Sequence, residues 1–146
     1  MDATDESTTS GREVGLEQLS PYDCWRLVTA AGGALGVARV VWSEDDRPAV
    51  VPVNYTVADG SIWFQTTPGS RLARACSDRE VLVEVDHVDP VQRTGWSVVV
   101  TGRAGCLSSS EDRGMLGDLQ VWPAGSRQLL VRVQPDLLTG RRLRRR

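Results

Sequence analysis

Apolar and polar positions alternate with a period of two along most of this chain, and three short stretches break that rhythm. Alternation places every second side chain on one face of a strand. It is read over Ala34 to Trp42, Pro48 to Val57, Ser61 to Thr66, Glu80 to His87, Gly95 to Ala104 and Gln128 to Val133. Valine dominates these runs, and β-branched residues suit a pleated, half-buried surface. Glu44-Asp45-Asp46-Arg47 is a polar turn between the first two strands. Ala58-Asp59-Gly60 is a hairpin signal between the second and third.

The first break is Ser20-Pro21-Tyr22-Asp23, with Ser as N-cap, Pro at the first helical position and an acid in the first turn. The helix it starts ends at Gly32-Gly33. A second short helix is expected from Ser70 to about Cys76. A third is expected from Ser108-Ser109-Ser110 to about Leu119, before the Trp122-Pro123 break. Six strands with short connections and small helices predict a mainly β fold, an antiparallel barrel with α additions. The strands do not alternate with long helices, so a doubly wound parallel sheet is disfavoured. No internal repeat, dinucleotide-binding glycine motif or P-loop is present.

One stretch carries candidate chemistry: Phe64-Gln65-Thr66-Thr67-Pro68-Gly69-Ser70-Arg71-Leu72. It leaves a strand through two threonines, turns on Pro68-Gly69 and enters a helix with Arg71 in its first turn. Free N–H groups, hydroxyls and a guanidinium suit a phosphate. An N-cap at Ser70 and a solvated Arg71 account for the same residues.

Composition narrows the picture. At 146 residues one domain is expected, and 40% hydrophobic with 25% charged residues is enough to build a core. Residues 1–14 are polar and acidic and are expected to form a loose tail. The domain is expected over 15–142 and a basic tail over 143–146. A net charge of −2 gives no support for a nucleic-acid partner. All 17 basic residues are arginine, which excludes lysine-based catalysis. Cys24, Cys76 and Cys106 form no Cys-x-x-Cys pair, so a reducing, cytoplasmic setting is expected and a disulfide framework is not. No signal-peptide pattern and no membrane-length apolar run are found, so no membrane partner is expected. His87 lies in Asp86-His87-Val88-Asp89, but alternation keeps both acids from joining it, so no metal site is expected.

Several motifs then occur in one order: Val-Pro-Val-Asn-Tyr at 51–55, the 64–72 stretch, Val-Glu-Val-Asp-His-Val-Asp at 83–89, Gly-Trp-Ser-Val at 95–98 and Thr-Gly-Arg-Arg at 139–142. Together they resemble the pyridoxamine 5′-phosphate oxidase-like family, and within it the short branch related to nitroimidazole-resistance proteins. The resemblance implies a six-stranded split β-barrel that forms a homodimer, with FMN in the groove between subunits. By the same resemblance Asn54 and Tyr55 lie on the strand that borders the flavin ring, and Phe64, Gln65 and Thr66 on the strand whose backbone faces its edge. Ser70 and Arg71 match the phosphate site, where Lys is common in the family. Trp96 and Ser97 match a segment that reaches the cofactor, sometimes from the partner chain, and Arg141 joins the phosphate shell. The C-terminal Arg and His arrangement that would hold a vitamin B6 phosphate ester is not found, so that oxidation is not implied. The implied activity is transfer of hydride or electrons to a small organic acceptor. Other members of that family bind a deazaflavin coenzyme, haem or no cofactor, so a protein that binds or senses a flavin, deazaflavin or haem without turnover, or a scaffold that has lost the cofactor, stays open.

Overall fold

The computed structural model describes residues 14–33, 35–107 and 129–145. Seven strands and two helices follow in the order β1 (Val14–Gln18), α1 (Pro21–Gly32), β2 (Gly36–Glu44), β3 (Arg47–Ala58), β4 (Ser61–Thr66), α2 (Arg71–Ala75), β5 (Arg79–Asp89), β6 (Thr94–Leu107) and β7 (Leu129–Arg145). The expected helix from Ser108 and the Trp122-Pro123 break lie outside the described residues.

All pairings are antiparallel, and six strands close into a ring, β7-β4-β3-β2-β5-β6, through a β6–β7 pairing. This is the split barrel expected from the sequence. β1 is an addition: it pairs with the far half of β7, from Val14 opposite Arg145 to Gln18 opposite Arg141. β7 therefore runs to Arg145, well past the expected end at Val133, and the basic residues 143–145 lie in a strand. Alternation is weak there because both faces of this half of the strand are partly exposed.

The hairpins follow the turn chemistry. Asp59 and Gly60 take left-handed φ values of 51° and 66° between Ala58 and Ser61, which face each other across the loop. Asp45 and Asp46, at 51° and 59°, do the same between Glu44 and Arg47. Two left-handed residues match the twist of the flanking strands, and Asp tolerates that conformation better than most residues.

The core lies inside the ring. Val40, Val83, Val85, Val98, Val100 and Val131 are essentially fully buried, and each sits at an alternate position of its strand. α1 closes one opening of the barrel. Ser20 caps it by accepting a hydrogen bond from the Asp23 N–H at 3.1 Å, and Gly33 ends it. A Cβ on Gly32 would come within 2.9 Å of the Tyr55 ring, and one on Gly36 within 2.6 Å. These two glycines make room for the ring, and the Tyr55 hydroxyl donates to the Val28 carbonyl at 2.7 Å.

β7 matches β6 along nearly all of its length, with one register shift. Thr101 faces Leu137 but Gly102 faces Pro135, so Asp136 is an extra residue on β7. Proline lacks the N–H that a ladder needs, and a bulge is where a strand tolerates it. The bulge brings the Gln134 carbonyl against Gly102, where a Cβ would overlap it. Gly102→Ala is expected to destabilise the fold by about 1–3 kcal/mol, the usual cost of overpacking. A lowered urea midpoint at unchanged slope would show it, and an unchanged midpoint would refute it.

Candidate functional site

The residues singled out in the sequence fall into two groups on this chain. The first is at the end of β4. Thr66 is buried, and its Oγ1 lies 2.9 Å from Ser70 Oγ. Ser70 also accepts from the Ala73 N–H at 3.0 Å, so it is the N-cap of α2. Gly69, with φ of 78°, supplies the left-handed turn before it. α2 has five residues, little more than one turn, so its dipole is small and the local positive charge comes from arginine.

Arg71 is two-thirds exposed and grips Glu44 with Nε at 2.8 Å and Nη2 at 2.6 Å from Oε2. Arg74 donates to the Gly69 carbonyl at 2.9 Å and stands 4.0 Å from the other Glu44 oxygen. The Arg71 hydrogen bond, with the charges of both arginines, holds the Glu44 carboxyl below its usual range. Two guanidinium groups against one carboxylate leave this corner with a net positive charge. Glu44 and Arg74 were missed in the sequence. Glu44 comes from the β2–β3 hairpin, and only the closure of the sheet brings it here.

The second group lines an open groove on the outer face of β5, β6, β7 and β1. Asp86, Ser97, Arg141 and Gln18 form one rung across the four strands. Around them Leu16, Val88, Pro90, Arg93, Trp96 and Leu143 line a hollow of ≈ 730 Å³. A second hollow of ≈ 550 Å³ shares Leu16, Ser97 and Arg141 and adds Gln18, Val99, Thr139 and Gly140. Trp96 is half-buried, packs against the main core and also edges the groove. Asp86, Leu16 and Gln18 were not read as site residues, because nothing local in the sequence links β1 or β5 to Arg141.

The two groups stand apart. Asp86 is bound to Arg39 of β2 at 2.9 Å. Glu44, which holds Arg71, lies five residues further along that strand. At strand rise this is about 17 Å. One chain therefore does not bring Ser70 and Arg71 to Ser97 and Arg141.

Tyr55 is fully buried and has spent its hydroxyl on Val28, so on this chain its side chain is not offered to a ligand. The Phe64 side chain is buried too, which leaves only the backbone of that strand to meet a ring edge. Burial pushes the Tyr55 hydroxyl up to about 12. The strand-end position of Tyr55 reads as surface in the sequence, but α1 folds over it. Asn54 is exposed opposite Val37, on the outer face of the sheet. Gln65 points to the opposite face of β4 from Thr66. Its Oε1 is buried and has no hydrogen-bond partner among the described residues.

Among the described residues no helix is long and apolar enough to cross a membrane. His87 is exposed opposite Trp96.

Comparison with known proteins places these features. Residues 20–142 match the family model described as pyridoxamine 5′-phosphate oxidase. The uncharacterized protein Rv0080 of Mycobacterium tuberculosis is 36% identical over 143 residues, covering 94% of this chain and 90% of that one. The FAD binding protein of Mycobacterium smegmatis superposes with a TM-score of 0.73 at 30% identity, over 88% of this chain and 100% of that one. An FAD-binding protein of Mesorhizobium loti gives a TM-score of 0.71 at 24% identity, over 87% and 97%, which shows the shared fold.

Tyr55→Phe separates the core from the site. It removes a buried hydrogen bond, so a stability loss of about 0.5–1.5 kcal/mol is expected by thermal or urea unfolding. Ligand affinity is expected to stay unchanged. A selective loss of affinity in a fully stable variant would return Tyr55 to the site.

Proposed function

Since the chain belongs to the pyridoxamine 5′-phosphate oxidase family, we propose that it is a flavin-dependent oxidoreductase that works as a homodimer with FMN held between two copies. The observation that carries this reading is the separation of the two residue groups. A site that needs both is incomplete on one chain, and a second copy related by two-fold symmetry would bring the groove of one to the arginine corner of the other.

The outer sheet face supports such a dimer. Val37, Leu82, Val88, Leu137, Leu143 and Leu16 all project from it and are all exposed. Register places Leu82, Thr101 and Leu137 on one rung and Val88, Gly95, Leu143 and Leu16 on another. An apolar face that spans several strands is what a second copy would cover.

The residues present fit a flavin. The hydroxyls of Thr66 and Ser70 and the forks of Arg71 and Arg74 suit a phosphate, which would compete with Glu44 for the arginines. The groove offers Trp96, Val88, Pro90 and Leu143 as an apolar bed, with Ser97 and Arg141 as polar handles; Asn54 stands outside its lining, on β3. Gln65 Oε1 is a buried acceptor with no donor among the described residues. The flavin, when bound, supplies the hydride or electron transfer to a small organic acceptor. The protein's part is to hold its phosphate, flank its ring and exclude water. The FAD-binding description of the Mycobacterium smegmatis relative favours a flavin. A cofactor-free scaffold is the competing reading, and the Arg71–Glu44 pair favours it, since that pair already occupies the arginine.

Purified protein is expected to be yellow, or to quench FMN fluorescence at micromolar concentration. Colourless protein that leaves FMN fluorescence unchanged would support the scaffold. Arg71→Ala is expected to weaken flavin binding about ten- to a hundredfold, the size of a lost charged hydrogen bond. Mixing Arg71→Ala chains with Arg141→Ala chains tests the shared site. A mixed dimer regains one site with both arginines, so roughly a quarter of the sites recover wild-type affinity. No recovery in a mixture that forms mixed dimers would place both arginines in one chain's site or outside any site.

A further inference from the structure

Glu84 and Asp86 are two residues apart on β5 and therefore project from the same outer face. A single guanidinium nitrogen, Arg39 Nη1, binds both: Glu84 Oε2 at 3.0 Å and Asp86 Oδ2 at 2.9 Å. Two carboxylates on one cation leave a net charge of −1 when both are ionised. The rung on one side of Glu84 carries Val41, Leu82, Thr101 and Leu137. Val88, beyond Asp86, begins another apolar rung. The pair thus stands in the middle of the apolar face that the proposed dimer would cover.

The groups that face this pair are few. β2 contributes Arg39, and β5 contributes only the two acids. β6 places Val99 opposite Glu84 and Ser97 opposite Asp86, neither of them charged. The charges beyond are Arg141 on β7, opposite Ser97, and Asp89 and Arg93, which line the same hollow as Asp86. One cation is committed to two anions, and the others belong to the groove.

We propose that the Glu84–Asp86 pair makes association of two copies pH-dependent, because covering the face obliges the pair to share a proton. This rests on the dimer reading above and adds its regulation. Even in the single chain, loss of hydration and the neighbouring Asp86 push the Glu84 carboxyl up to about 7. Covering the face strips more water from the pair and raises its proton affinity further. An assembled form that binds more protons than its separated parts is weakened as pH rises. Below about pH 7 the pair already holds its proton, and association is insensitive to pH. Above that, each proton taken up weakens association by about tenfold per pH unit.

Sedimentation equilibrium of the full-length chain between about pH 6 and pH 9 measures this directly. The wild type is expected to show a dissociation constant that is flat at the acid end and rises at the alkaline end. Glu84→Gln keeps the size and hydrogen-bonding capacity of the side chain but cannot ionise. Its dimer is expected to be at least as tight as the wild type and to lose most of the rise. A wild-type constant that does not change with pH overturns the inference while leaving the dimer in place. So does a Glu84→Gln dimer that keeps the full wild-type slope. A protein that stays monomeric at every pH overturns the dimer reading itself, and this inference with it.

Discussion

The barrel depends on one strand serving three partners. The first half of β7 lies between β4 and β6, and its second half lies between β6 and β1. Every strand of the ring has two neighbours, but only β7 among the described strands has a third, so its register sets the position of β1 as well as the closure with β6. The shift at Gly102 lets one 17-residue strand satisfy both halves. Without the bulge, the register that pairs Gly102 with Pro135 would set Gly140, not Arg141, opposite Ser97. Arg141 reaches the groove opposite Ser97 only because that correction has been made upstream.

This dependence explains which features the sequence disclosed. The six barrel strands were legible because valine alternates with polar residues wherever one face meets the core. The Asp59-Gly60 turn and the Ser20 cap are local devices, and each acts within four residues. The long tail of β7 and the strand β1 were not legible. Gln134 to Arg145 carries no sustained alternation, since its two faces are neither wholly buried nor wholly wet. β1 gains its structure from a partner more than a hundred residues away, and nothing local announces it.

The site was legible in its chemistry and not in its geometry. Thr66, Ser70 and Arg71 do sit together, as a strand leading into a short helix requires. The sequence could not show that Glu44 would meet Arg71, because the two come from separate hairpins. Nor could it show that Tyr55 would be buried. Only the placement of Gly32 and Gly36 reveals that a helix closes over that ring. Glycines that admit a neighbour look in sequence like glycines that merely end a helix. The resemblance grouped Arg141 with Ser70 and Arg71, whereas cross-strand register sets it beside Ser97 on this chain.

The three thiols sit at different depths, and that arrangement turns the chain into its own opening gauge. Cys24 is wholly enclosed on the inner face of α1, with its sulfur close to Gly140 on β7. Cys76 is equally enclosed at the end of α2. Cys106 is only half-covered, on β6. An alkylating reagent reaches each sulfur only as fast as the element above it lifts. Cys24 therefore times the departure of the helix from the barrel mouth, and Cys76 times the loosening of the arginine corner. A ligand that tightened that corner would slow the second clock and leave the first running.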